Sequence, residues 1–172
     1  IAEAGSMMYK NPSIDMDTIL GDGSSKHSGI WGAVKGAGKR ILTGESLFMT
    51  IFSHEGQGKA HVAFAAPFPG TIIPVHLPDV DGELICQKDS FLVAAKGVSV
   101  GIALQKRIMT GLFGGEGFIM QRLEGDGWCF VHAGGTLIEK ELAAGEELHV
   151  DTGCVVAYTK EVDFRIEQAG DI

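Results

Sequence analysis

The side chains able to do chemistry in this chain are few and scattered. Six histidines, His27, His54, His61, His76, His132 and His149, are its neutral-pH proton carriers and its best nitrogen ligands. None of them forms an H-x-H or H-x-x-x-H pair, the spacings that set two imidazoles on one face of a strand or helix. His61, His76 and His132 are candidate metal ligands only if the fold brings distant segments together. The spacing favours solvated or hydrogen-bonded strand histidines, so no metal and no cofactor is expected. Glu45 and Glu116 stand in matching contexts, GESLFM from Gly44 and GEGFIM from Gly115. Two carboxylates in a cleft could share the acid–base work of a hydrolase. A Glu that follows a turn glycine has a simpler role, accepting from backbone N–H groups. Glu83 after Gly82 and Glu146 after Gly145 pose the same choice.

Nucleophiles are weaker still. Ser46 begins as a G-x-S-x-G motif would, but Phe48 occupies the second glycine position. The matching residue in the second context is Gly117, so the position does not demand a hydroxyl. The stretch TGLFGGEGFIMQ, residues 110–121, packs Gly111, Gly114, Gly115 and Gly117 together. It lacks the G-K-[ST] ending of a phosphate loop. It leads into FIMQRLEGDGWCFVH, which reads as two strands about an Asp-Gly turn and not as a helix. These glycines are expected to serve turns or bulges. No catalytic residue is therefore expected.

The elements that must position such residues are short. Apolar stretches are interrupted by Gly, Asp or Asn every eight to twelve residues or so, the pattern of an all-β sandwich or barrel. SLFMTIF, AHVAF, GTIIPVHL, ELICQ, SFLVA, VSVGIAL, GFIMQRL and TLIEKEL are the strand candidates. IDMDTI (Ile14–Ile19) and VDFRI (Val162–Ile166) alternate strictly, as a strand with one wet face requires. Hydrophobic residues make up 45 % and charged residues 21 % of 172 residues, enough for one domain with a buried core over residues 1–172. The net charge of −8 excludes general nucleic-acid binding, which needs phosphate-neutralising cations. Cys86, Cys129 and Cys154 are far apart and odd in number, a poor disulfide framework. They predict small packed residues in a reducing, cytoplasmic setting.

Three segments align without gaps: EAGSMMYKNPSIDMD from Glu3, QKDSFLVAAKGVSVG from Gln87 and DTGCVVAYTKEVDFR from Asp151. Met7-Met8, Phe91-Leu92 and Val155-Val156 coincide, as do Ile14, Val98 and Val162. Ser6, Ser90 and Cys154 each precede the apolar pair. The fold class that follows is all-β, a pseudo-threefold repeated β-sandwich or barrel with repeats near 3, 87 and 151. PDVDGELICQKDS and LAAGEELHVDTGC share a further turn and strand upstream of the second and third copies. The first copy lacks that unit, which predicts that the natural protein continues before Ile1 with a similar turn and strand.

The motifs AEAGSMMY, TGESLFMTIF, FGGEGFIMQRLEGDG and ELAAGEELHVDTGCVVAYT occur in this order along nearly the whole chain. With them the chain resembles the bacterial and archaeal relatives of the "altered inheritance of mitochondria" protein number twenty-four, grouped by fold with the tryptophan-RNA-binding attenuator protein. The resemblance implies a β-sandwich of pseudo-threefold repeats, a homotrimer, and no catalytic activity. It does not imply tryptophan or RNA binding, because a fold does not transmit function.

One segment departs from the acidic background. SGIWGAVKGAGKRILTG, residues 28–44, carries Lys35, Lys39 and Arg40 with no acidic residue. Ile30, Val34, Ala37 and Ile41 fall roughly on one helical face. Trp31 and the three cations are the expected outward contact surface, for a membrane surface or a protein partner at the membrane periphery. The glycines there weaken any helix, by about 1 kcal/mol each, and a loop covering a barrel end or a subunit contact is the plainer use. The sequence thus points to a non-enzymatic, trimeric scaffold or binding module. The alternatives are a cupin-like small-molecule or metal-binding barrel using His61, His76 and His132, and a hydrolase using Glu45 and Glu116.

Overall fold

Twelve strands can be traced in a computed structural model that describes residues 1–20, 48–106 and 118–167. In chain order they are β1 (Ala2–Glu3), β2 (Met7–Lys10), β3 (Asp15–Leu20), β4 (Phe48–Ser53), β5 (Val62–Phe64), β6 (Thr71–His76), β7 (Glu83–Gln87), β8 (Phe91–Ala94), β9 (Val98–Lys106), β10 (Phe118–Gly125), β11 (Trp128–Ala133) and β12 (Ala157–Thr159). Seven of the eight stretches proposed from sequence lie on these strands. The protein is all-β and its sheets are antiparallel.

A six-stranded sheet runs β3-β4-β1-β8-β11-β6, and a four-stranded sheet runs β12-β7-β10-β9. β2 and β5 form a separate two-stranded ribbon. Period-two alternation explains how the large sheets meet. Met49, Phe91, Ala94, Cys129 and Val131 point inward from the first, and Leu84, Cys86, Val100 and Leu123 from the second, with Leu77 between. All ten of these residues are buried. Each large aliphatic side chain taken from water contributes about 1.5–3 kcal/mol, so this seam holds the sandwich together. The far face of the four-stranded sheet carries a second cluster, Ile85, Phe118 and Met120, covered by Tyr158, Phe164 and Ile166.

β10 and β11 are joined by a tight turn and arch from one sheet to the other, without pairing with each other. β7 pairs with β10 from Leu84↔Leu123 to Gln87↔Met120, while β6 pairs with β11 from His76↔Trp128 to Thr71↔Ala133. At this turn four glycines meet. Gly125 N–H donates to Gly82 O (3.1 Å), Leu77 N–H to Gly127 O (3.1 Å), and Asp126 N–H to Gly97 O (3.4 Å). A Cβ on Gly125, whose φ is 145°, would run into the Gly97 carbonyl. Pro74 lies on β6, an outer strand of its sheet, where a missing ladder donor is tolerated.

The aligned segments share their turns. Ser6 N–H donates to Glu3 O (3.2 Å) and Cys154 N–H to Asp151 O (2.9 Å), and a 3-10 turn, Lys88–Ser90, stands at the corresponding place. Further on, Ile14 N–H donates to Asn11 O (3.1 Å), Val98 to Ala95 (3.4 Å) and Val162 to Thr159 (3.1 Å). The strands between these turns have different neighbours: β2 pairs with β5, β8 lies between β1 and β11, and β12 borders β7.

Two expected strands differ. TLIEKEL, residues 136–142, has no sheet partner among the described residues. VDFRI keeps its alternation, with Val162, Phe164 and Ile166 half-buried and Asp163 and Arg165 exposed, and Phe164 and Ile166 pack on the second cluster, but it is not a sheet strand among the described residues. Phe164 lies against Phe118 and Tyr158 at centroid distances of 5.9 and 5.2 Å. Cys154 also differs from expectation. It is exposed, whereas Ser6 and Ser90 at the matching positions are buried. The chain before it, residues 134–151, is itself almost wholly exposed.

Candidate interaction face

The six-stranded sheet has two faces, and only one meets the other sheet. In-register pairs place His76 beside Trp128, Pro74 beside Phe130, and Ile72 beside His132 on the outer face. The same alternation carries Val93, Thr50, Phe52, Met16 and Phe48 to that side. Phe48 (54 %), Met16 (48 %), Trp128 (48 %) and Ile72 (43 %) are strongly exposed. In the middle of the face is an open hollow of about 530 Å³, lined by Phe52, Phe64, Ile72, Val93 and Phe130, with Lys96 at its rim. The β2–β5 ribbon closes one side, where Phe64 meets Phe52 edge to face at 5.2 Å. An apolar surface of this kind suits contact with another apolar surface.

The three candidate histidines are set apart by the same strands. His61 precedes β5 and is exposed, and its backbone N–H donates to Asn11 Oδ1 (2.6 Å). His76 ends β6, with Nδ1 3.2 Å from Asp79 Oδ1 and its ring 4.8 Å from that of Trp128. His132 is 2 % exposed in β11, its ring 4.5 Å from Phe68. Neither of its ring nitrogens has a hydrogen-bond partner, which is costly for a buried donor. Gly70 makes room beside it, since a Cβ there would crowd His132 Nε2 and the Ala133 carbonyl. Among the described residues no three His, Cys, Asp or Glu side chains are grouped to hold a metal ion. Trp31, Lys35, Lys39 and Arg40 lie outside the described residues, as do Glu45, Ser46 and Glu116.

The other turn glutamates divide. Glu146 Oε2 accepts from Ala143 N–H (2.9 Å), the backbone-satisfying role expected of a Glu after a turn glycine. Glu83 Oε1 instead stands 3.1 Å from Arg122 Nε across β7 and β10. The approach is too poorly aligned for a hydrogen bond, so the contact is an ion pair.

Two buried polar groups carried no signal in the sequence. Gln121 is fully buried on the inner side of β10, with neither side-chain polar atom paired. Glu3 ends β1 with Oε2 buried and unpaired. Burial pushes its carboxyl up to about 7; Lys88 opposes that shift and Asp89 adds to it. Cys86 and Cys129 sit in the inter-sheet seam, and burial raises both thiols, Cys129 to about 11.

The described residues form a β-sandwich whose six-stranded sheet keeps an apolar outer face. The family model for mitochondrial biogenesis AIM24 matches residues 1–172, and the chain belongs to that family. It is 31 % identical over 166 residues to an uncharacterized protein of Streptococcus pyogenes serotype M6, covering 95 % of this chain and 63 % of that one. A crystal structure of a Streptococcus pyogenes protein has a similar fold, with a TM-score of 0.51 at 21 % identity, covering 78 % of this chain and 54 % of that one. The chain thus spans less than two thirds of the length of these relatives.

Proposed function

We propose that the chain is a non-enzymatic β scaffold that assembles as a homotrimer through the outer face of its six-stranded sheet, with its pseudo-threefold repeats mirroring that assembly. The observation that carries this is the uncovered apolar surface running from Met16 and Phe48 to Ile72 and Trp128. Exposed patches of this kind mark interaction sites, and closed cyclic symmetry is the common way to bury them. Contact with a membrane surface or a membrane-protein partner then falls to the basic segment around Trp31, Lys35, Lys39 and Arg40, on the cytoplasmic side.

Native mass spectrometry tests the assembly. A trimer without added mass is expected, and Ile72→Lys together with Trp128→Lys should reduce it to monomers that keep their circular-dichroism spectrum. A monomeric wild-type protein overturns the assembly. A reproducible metal or small-molecule adduct turns the reading toward a ligand-binding barrel.

A further inference from the structure

Residues 134–151 leave the end of β11 as an arm with no sheet partner among the described residues. Ile138 (74 %), Val150 (48 %), Leu148 (47 %) and Leu137 (43 %) are exposed along it. The arm repeats the sequence of an element whose two strands both have sheet partners. GTLIEKEL, Gly135–Leu142, matches GTIIPVHL, Gly70–Leu77, and Glu147-Leu148-His149-Val150 matches Glu83-Leu84-Ile85-Cys86. The second element is β6, its turn and β7. There Leu77, Leu84 and Cys86 are buried, because β6 and β7 hold the β10–β11 arch, one strand in each sheet.

The arm is also held in shape. Gly145 takes φ 81°, and Glu146 N–H donates to Ala143 O (2.9 Å) while its carboxylate receives Ala143 N–H. Beyond the arm, Asp151 Oδ1 accepts from Gly153 N–H (2.9 Å), fixing the exit towards β12. The arm matches the sequence of β6–β7 but has no counterpart of β10–β11 against it among the described residues.

We propose that residues 135–151 dock a β-arch of the β10–β11 pattern, two strands joined by a tight turn that pair with the arm and not with each other. Its first strand adds antiparallel to residues 147–151 and its second to residues 136–142, covering Leu148, Val150 and Leu137. Charge selects this occupant. Glu139, Glu141, Glu146, Glu147 and Asp151 outweigh Lys140, so two arms from two copies would repel when paired. In the filled element Arg122 of β10 meets Glu83, and Glu147 is the matching position in the arm. The incoming first strand therefore carries a basic residue opposite Glu147. Main-chain pairing would supply the affinity and this ion pair the register.

A synthetic peptide spanning residues 118–133 is the probe, titrated into the purified chain with hydrogen exchange as the readout. One-to-one binding that slows exchange at 136–142 and 147–151 is expected. Leu148→Asp, a change at an exposed position, should abolish binding and leave the fold intact. A peptide with Arg122→Glu should bind about fivefold more weakly, and Glu147→Lys in the chain should restore it. No protection at saturating peptide overturns the proposal. So does arm protection in the free chain that rises with protein concentration and vanishes with Leu148→Asp, which would make the occupant a second copy. The trimer mass of Leu148→Asp should be unchanged, so this test and that of the assembly fail separately.

Discussion

Glu3 shows how one buried group can set a pH dependence. Its carboxyl has an ordinary value of 4.5 and is held at about 7 by burial in the folded chain. Between those values the folded state keeps a proton that the unfolded state gives up, so stability falls as pH rises through this window. Below it both states are protonated and nothing is lost; above about 7 the full penalty of an ionised, partly buried carboxylate remains. The melting temperature should therefore decline from pH 5 to pH 8. Glu3→Gln should remove most of that decline and raise the melting temperature at pH 8. An unchanged pH profile in the variant would show that the carboxyl is ionised throughout. Nothing in AEAGS announces this, because the burial of Glu3 depends on neighbours far along the chain, β4 beside it and the turn carrying Lys88 and Asp89.

At the scale of elements, the turn between β10 and β11 makes the sharpest demand. Gly125 adopts a conformation that L side chains rarely take, and its missing Cβ is where the Gly97 carbonyl passes. Gly125→Ala should cost about 2–3 kcal/mol, measured by urea unfolding, and a loss within 0.5 kcal/mol would mean that the turn relaxes. The Asp-Gly turn and its two strands were legible in LEGDGW because turn chemistry is local. β7 and β8 were legible as short apolar runs bounded by polar residues, and β9 by its alternation. TLIEKEL was legible as a strand sequence and yet stands alone, since a strand needs a partner as well as a pattern. The histidines were legible as residues and not as positions. His76 and His132 fall four positions apart on adjacent strands, β6 and β11, a relation that sheet register fixes and residue type does not. The exposed outer face was missed for the same reason: alternation marks which side chains share a face, but not which face stays open.

At the scale of the whole molecule, charge and apolar surface divide the proposed work. A chain of net charge −8 should be repelled by anionic lipid as a body, so membrane contact would have to come from a local cationic segment. Binding to vesicles of phosphatidylcholine with phosphatidylserine should fall at least tenfold when Lys35, Lys39 and Arg40 are all replaced by Gln, at about 1 kcal/mol per cation near the surface. Wild-type protein that stays off such vesicles would remove the membrane from the proposal and leave the scaffold. The inter-sheet seam has a consequence of its own. Cys86 and Cys129 lie between the two sheets with their thiols held protonated, while Cys154 stands in solvent. A thiol reagent would therefore find one cysteine at once and the other two only when the sandwich parts, so the unmodified protein already carries a clock for its own opening.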